Sequence, residues 1–262
     1  MHPKALDGIR ILDLTRIYAG PYCSMLFADM GAEVIKIEPP EGELIRDNPP
    51  MVEEGKGGPH DRSRSGYFLT LNRNKYGITL NLKHPRALQI FKDMVKISDI
   101  VLENYAPGVM KRLGIDYPVL QEINPRIILC SISGFGQTGP YSERMAFDVI
   151  SQAMSGLMSI TGHPENPPTR VGTSLGDVNA AVHAAFAIMT ALWHREKTGK
   201  GQQVDVSMLE TMVAILEGGI VRWTIGKELL THIGSMNPHE APMAAFKGKD
   251  GYVIIATVGD EH

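Results

Sequence analysis

The sequence predicts an α/β fold built on a parallel sheet, on two observations. Ile9 to Leu14 (IRILDL), a helical pattern opened by Pro21 and closed by Gly31, and the run Glu33 to Ile37 place strand, helix and strand within about thirty residues, the spacing of a βαβ unit. The alternation then repeats through GITLNL (Gly77 to Leu82), a helix near Pro85 to Ile97, the strand DIVLE, helical turns from Pro107 to Ile123 and the strand RIILCSIS. At least four βα repeats of this kind make layers of helix over sheet.

The remaining elements follow in order. Pro39 to Gly66 holds five Pro, five Gly and ten charged residues, which predicts a loop. Beyond Pro140 the pattern turns helical, over Phe147 to Thr161 and again over Leu175 to Lys197. In GDVNAAVHAAFAIMTALWH small apolar residues surround the second helix on nearly every side, so it is expected to run through the middle of the core. Lys197 to Gly201 (KTGKG) joins a cationic last turn to glycine stop signals. QQVDVSMLETMVAILEGGIVRW gives a short strand and an apolar helix, and APMAAFKGKDGYVIIATVGDEH gives a strand pair turning at Lys249-Asp250-Gly251. The sequence ends directly after that pair, so a second folding unit is expected to begin here and to be incomplete.

With 262 residues, 43% of them hydrophobic and 21% charged, the chain has an ordinary globular composition, enough for one large domain or a domain and a half. A net charge of -3 provides no general field for polyanions, which argues against a nucleic-acid binder; an anionic ligand must be met locally. The start MHPKALDGIR has no apolar signal core and no continuous apolar run approaches the ~20 residues of a membrane span, so the expected location is the cytoplasm, with no membrane partner. Cys23 and Cys130 belong to no CxxC pair and read as buried small apolar residues, not as a disulfide or a metal site.

Several motifs carry possible chemistry. Gly134-Phe135-Gly136-Gln137-Thr138-Gly139 spells GxGxxG after a strand, but a dinucleotide site needs a helix starting within the glycines and an acid about twenty residues on. Pro140-Tyr141 extends the loop and SITGHPENPP follows at that distance, so the segment reads as a glycine-rich site loop. Asp177 heads the long apolar helix. It reads either as a cap on the free amides or as a carboxylate kept ionised by them and able to act as a nucleophile, with Gly172 and Gly176 allowing a substrate close approach. His183 and His194, eleven residues apart, do not have the spacing of helical metal ligands. Positive charge gathers at Asn72 to Lys75, at Lys83 and at Lys111-Arg112. These are solvated faces or, where Lys83 and Asn104 to Gly108 follow strands, sites for phosphate at carboxyl ends of a parallel sheet.

Taken together, LDLTRIYAGP, DMGAEVIKIEPPEGE, LNRNKYGITLNLK, VLENYAPGVMKRLGIDY, SISGFGQTGPY with FDVISQAMSGLM, the GD of SLGDVNAA and KTGKGQQVDVSMLE resemble the family III coenzyme A transferases, the family of formyl-CoA transferase and carnitine CoA-transferase. The blocks run in order through nearly the whole chain. The resemblance implies a Rossmann-like, CoA-binding large domain over 1–200, a connecting strand and helix over 201–230, the start of a smaller domain over 231–262, and two interlocked subunits forming a homodimer.

It also implies that Asp177 is the catalytic nucleophile, relaying CoA between an acyl-CoA and a small carboxylic acid through an aspartyl-CoA thioester, with no metal and no cofactor beyond CoA as substrate. CoA contacts carry over onto Tyr18, Ala19, Leu80, Asn81, Leu82, Lys83, Asn104, Tyr105, Ala106 and Arg112, with Lys83 and Arg112 supplying charge for phosphates. Gly134, Gly136 and Gly139 then line the substrate loop, amides toward developing oxyanions. Formyl-CoA transferase has Arg where this chain has Pro39 and Gln where it has Tyr18, which removes one phosphate contact and points to a different acyl group. The alternatives are an α-methylacyl-CoA racemase, whose catalytic His falls where this chain has Phe147, and a non-catalytic CoA-binding fragment.

Overall fold

The computed structural model describes residues 4–52 and 65–259. Its centre is a sheet of six parallel strands: β1 (Arg10–Asp13), β2 (Glu33–Glu38), β3 (Tyr76–Thr79), β4 (Ile100–Glu103), β5 (Ile128–Ser133) and β6 (Gln203–Ser207). They lie in the order β3-β2-β1-β4-β5-β6, and β4 and β5 are buried along their whole length, as strands covered on both faces must be. This is the α/β fold that the alternating pattern predicts. The strand assigned to a connecting segment, 203–207, is instead the sixth strand, because Leu129 to Ser133 pair with it residue by residue.

One face carries α1 (Ala19–Asp29) and the long α8 (Leu175–Thr198), which enclose Ile11, Phe27, Ile100, Ile128, Ala180, Ala184 and Ile188. The other carries α3 (Pro85–Val95), α4 (Val109–Arg112) and α5 (Tyr117–Ile123), over Leu12, Phe91, Val101, Leu120 and Leu129. The expected loop from Pro39 contains a 3-10 turn (Leu44–Asp47) and runs to α2 (Gly66–Leu71); residues 53–64 of it lie outside the described residues. Helix α3 begins as its sequence asks, with Pro85 at the first position and His84 Nδ1 accepting from the Arg86 amide. The helix expected over 147–161 is broken into α6 (Asp148–Met154) and α7 (Leu157–Ile160) by Gly156, at φ 94.

Helix α8 does not run through the middle of the core. Its alanines (Ala180, Ala181, Ala184, Ala191) face the sheet and let α1 pack close, whereas Val182, Phe186, Met189 and Trp193 are exposed on the other side. By length and composition α8 could cross a membrane, although Asn179, His183 and Thr190 interrupt any continuous apolar run; here its inner face is packed on the sheet. It stops at Gly199, at φ 72, as KTGKG predicts. After β6 come α9 (Met208–Ala214), α10 (Glu217–Val221), a π turn (Arg222–Gly226) and the antiparallel pair β7 (Met243–Lys247) and β8 (Tyr252–Ala256).

Candidate active site

The strand order reverses between β1 and β4. Loops leaving two such strands diverge and leave a crevice at the carboxyl edge of the sheet. A cleft of about 620 Å³ lies there. It is lined by the β1–α1 loop (Arg16 to Ala19), the β4–α4 loop (Asn104 to Pro107), the end of β5 with Gly134, the segment Arg144 to Val149, Arg170, Ser174 and Asp177.

The β1–α1 loop is fastened from below by buried charge. Asp13 Oδ1 accepts the Thr15 amide at 2.9 Å, and Oδ2 accepts Ser24 Oγ at 2.6 Å and Lys75 Nζ at 3.1 Å. Burial opposes the ionised carboxyl, but Lys75, Lys36 and the two hydroxyls outweigh it and hold Asp13 at about 2. Lys36 Nζ donates to the Thr15 carbonyl at 2.9 Å and faces Glu43 at 3.3 Å, while Glu43 Oε2 accepts the Ile17 amide at 3.0 Å. That last bond holds Ile17 at φ 65, a left-handed conformation costly for a β-branched residue, and so presents Tyr18 to the cleft.

The two loops at the reversal are joined to each other. Asn104 Oδ1 accepts the Arg16 amide at 2.8 Å and Asn104 Nδ2 donates to the Arg16 carbonyl at 2.9 Å, with the Arg16 guanidinium 4.8 Å over the Tyr105 ring. Glu103 Oε2 accepts the Tyr105 amide at 2.7 Å. Burial pushes the Glu103 carboxyl up to about 7 against these bonds. On the next loop, Asp205 Oδ2 accepts the Gln137 amide at 2.9 Å.

Asp177 sits in the first turn of α8, and the amide available there does not serve it. Gly176 N donates to Asp148 Oδ1 at 2.7 Å, and Gln152 Nε2 donates to Asp148 Oδ2 at 2.8 Å. The same glutamine accepts the Val171 amide, which fixes the approach to the helix. Among the described residues no side chain or amide donates to Asp177, so it is neither a cap nor a carboxylate kept ionised by amides. Burial first, and the Asp148 charge second, push its carboxyl up to about 7. Gly176 has no room to admit substrate: a Cβ there would collide with Ser151 Oγ, so the glycine serves the contact of α8 with α6. Gly172 alone of the pair faces open space. The Tyr18 phenol is raised by burial and by the Asp177 charge, and remains a protonated donor.

The residues named from sequence divide into groups. Tyr18, Ala19, Asn104, Tyr105, Ala106, Gly134 and Asp177 share the cleft. Leu80, Asn81, Leu82 and Lys83 line an adjoining crevice of about 390 Å³ with Pro39, and Arg16, Tyr105 and Val109 line both. Strand β3 ends at Thr79, not Leu82; these four residues form the turn beyond it, closed by the His84 amide on the Asn81 carbonyl. Arg112 lines neither space and lies against Gly108. Gly136 and Gly139 take positive φ in the loop beyond Gly134 and do not line the cleft. At Gly134 a Cβ would strike Ala146. The Asn72 to Lys75 cluster is not a solvated face throughout: Lys75 is buried on Asp13, and Arg73 pairs with Asp29. His183 bonds the Asn179 carbonyl through Nδ1.

Sequence reasoning passed over Arg16, Arg144, Arg170 and Asp148, which all line the cleft. Arg16 and Asp148 lie inside the blocks that carry the family resemblance, two residues before Tyr18 and next to Phe147, and that proximity is their signal in the sequence.

The profile of CoA-transferase family III matches residues 6–262, nearly all of the chain. The chain belongs to CoA-transferase family III. Among its family III relatives, succinyl-CoA:mesaconate CoA-transferase of Haloarcula marismortui is 42% identical over 262 residues, 98% of this chain and 65% of that protein. Succinyl-CoA:glutarate CoA-transferase of Mus musculus is 43% identical over 96% of this chain and 56% of its own length, and acetyl-CoA:oxalate CoA-transferase of Acetobacter aceti is 43% identical over 99% and 65%. A solved CAIB/BAIF family protein from Brucella suis superposes with a TM-score of 0.90 at 35% identity, over 97% of this chain and 66% of that one. The chain therefore spans about 65% or less of the length of these curated relatives.

Proposed function

We propose that this family III chain carries the active site of an acyl-CoA:carboxylate CoA-transferase in which Asp177 is the covalent carrier. The observation that carries the reading is the position of Asp177. It lies in a cleft at the strand-order reversal, with the Tyr18, Asn104 and Tyr105 loops opposite and no partner for its own carboxylate among the described residues. Relatives named for CoA transfer to mesaconate, glutarate and oxalate support the same chemistry.

The ionised Asp177 oxygen attacks the thioester carbonyl of the donor, forming a mixed anhydride and releasing CoA thiolate. The thiolate attacks the aspartyl carbon, which forms an aspartyl-CoA thioester and frees the first acid as its carboxylate. The acceptor carboxylate attacks the same carbon and expels the thiolate. The thiolate then takes the new acyl group from the second anhydride, restoring Asp177. No net proton, electron or water is consumed. Burial serves this sequence twice: it makes the Asp177 carboxylate a stronger nucleophile once ionised, and it keeps water from the anhydrides. The protonated Tyr18 phenol is placed to donate to oxyanions as they form. Leu80 to Lys83 and the loop shared through Arg16 and Tyr105 hold the nucleotide portion of CoA outside the reacting cleft. The same reading takes the working enzyme to be a cytoplasmic homodimer with no further cofactor.

Phe147, exposed at the head of α6 and lining the cleft, has no proton to relay, which places transfer ahead of racemisation. Incubating the full-length protein with acyl-CoA, borohydride or hydroxylamine trapping and peptide mass analysis tests the carrier. The expected modification is on the peptide containing Asp177; an unmodified Asp177 in a protein that exchanges CoA overturns it.

A further inference from the structure

We propose that Arg144 binds the remote carboxylate of a dicarboxylic acid in this cleft, and so selects diacids and their half-thioesters over monoacids. The inference rests on the CoA-transfer reading and adds the group that chooses the acid. The cleft already contains two carboxylates, Asp177 and Asp148, so a substrate with a second negative charge is repelled unless a cation answers it. Among the described residues three guanidinium groups line the same space: Arg16, Arg144 and Arg170.

They are not equivalent. Arg170 lies 3.8 Å from Asp148, and Arg16 rests over Tyr105 at the opening shared with the crevice of Leu80 to Lys83. Arg144 has no carboxylate partner among the described residues. Its guanidinium lies 4.2 Å from the centre of the Tyr141 ring, and Tyr141 packs edge-on against Phe135 with ring centres 5.7 Å apart. Stacking over a ring holds the guanidinium in place and leaves the N–H groups in its plane free, which is the geometry that accepts a carboxylate through two parallel bonds. The Arg144 amide also bonds the Tyr141 carbonyl at 2.9 Å, so ring and guanidinium belong to one turn. That turn leads directly into Phe147 and Asp148, beside the nucleophile.

The test uses full-length protein with succinyl-CoA, a half-thioester, as donor and two acceptors of equal chain length, glutarate and valerate. Wild type is expected to favour glutarate, and Arg144→Ala to lower the glutarate-to-valerate ratio of kcat/KM by about 30-fold, mostly through the KM for glutarate. Arg144→Lys, which keeps charge without the planar fork, should fall between them. Calorimetric titration of glutarate alone should show the same order of affinity. Equal losses for both acids, or an unchanged ratio, overturn the assignment of Arg144 while leaving CoA transfer in place. A wild-type protein that exchanges CoA with neither acid and binds no glutarate overturns this inference, and if Asp177 also stays unmodified under acyl-CoA trapping it overturns the transfer reading with it.

Discussion

Asp13 and Asp177 serve the same edge of the sheet from two differently built corners. Burial acts on both in the same direction, against ionisation. At Asp13 two lysines and two hydroxyls reverse it, and the carboxyl is held at about 2. At Asp177 the charge that acts on the carboxyl is another carboxylate, Asp148, which already holds the helix amide, and the carboxyl stands at about 7. The difference lies in countercharge. The first corner uses a carboxylate to fix a loop; the second leaves a carboxylate without a donor among the described residues, at a cost in stability.

The largest effect expected from this contrast is that of Asp177→Asn, which should reduce CoA exchange on the order of 10³-fold or more in a thioester-exchange assay. The same variant should be the more stable protein in alkali. A carboxyl raised from 3.8 to about 7 on folding binds its proton more tightly in the native state, so wild type loses stability as pH rises between those values. The melting temperature of Asp177→Asn should therefore exceed that of wild type by a few degrees at pH 8 and match it near pH 4. A variant less stable at pH 8 would end the contrast.

Next in size, Lys75→Met should remove the main cation from Asp13 and destabilise the protein by about 3 kcal/mol in urea unfolding, with Asp13→Asn restoring part of the loss. If Lys75→Met is neutral, the ionic corner does not do what its geometry suggests. Asn104→Ala breaks both bonds to Arg16 and should raise the KM for acyl-CoA roughly 10-fold with a smaller change in kcat, because it loosens the two loops without touching Asp177. The smallest effect is that of pH on wild type: kcat/KM should be level above about 7 and fall below it as Asp177 takes its proton. A profile flat down to pH 5 would mean that the carboxyl is not raised in the working enzyme.

Much of the frame was readable from local pattern. The strand β2, the starts of α3 and α8 and the stop at Gly199 follow from periodicity, proline placement and glycine, all of which act over a few residues. The parts misjudged depend on partners distant in sequence. Lys75 looked like a solvated cation until β1 placed Asp13 against it. Asp177 looked like a cap until Asp148, from α6, took the Gly176 amide. Helix α8 looked central because alanine is small on every side, whereas only one side meets the sheet.

The sequence alone determined the layered α/β class, the order of its elements and the family, because hydrophobic period, turn chemistry and collinear blocks are written along the chain. Only the tertiary structure decided which charges neutralise each other and which remain available. Countercharge acts through space and in a medium of low dielectric, so Asp13 and Asp177, both aspartates in one sequence, become opposite in character once folding sets Lys75 beside one and Asp148 beside the other.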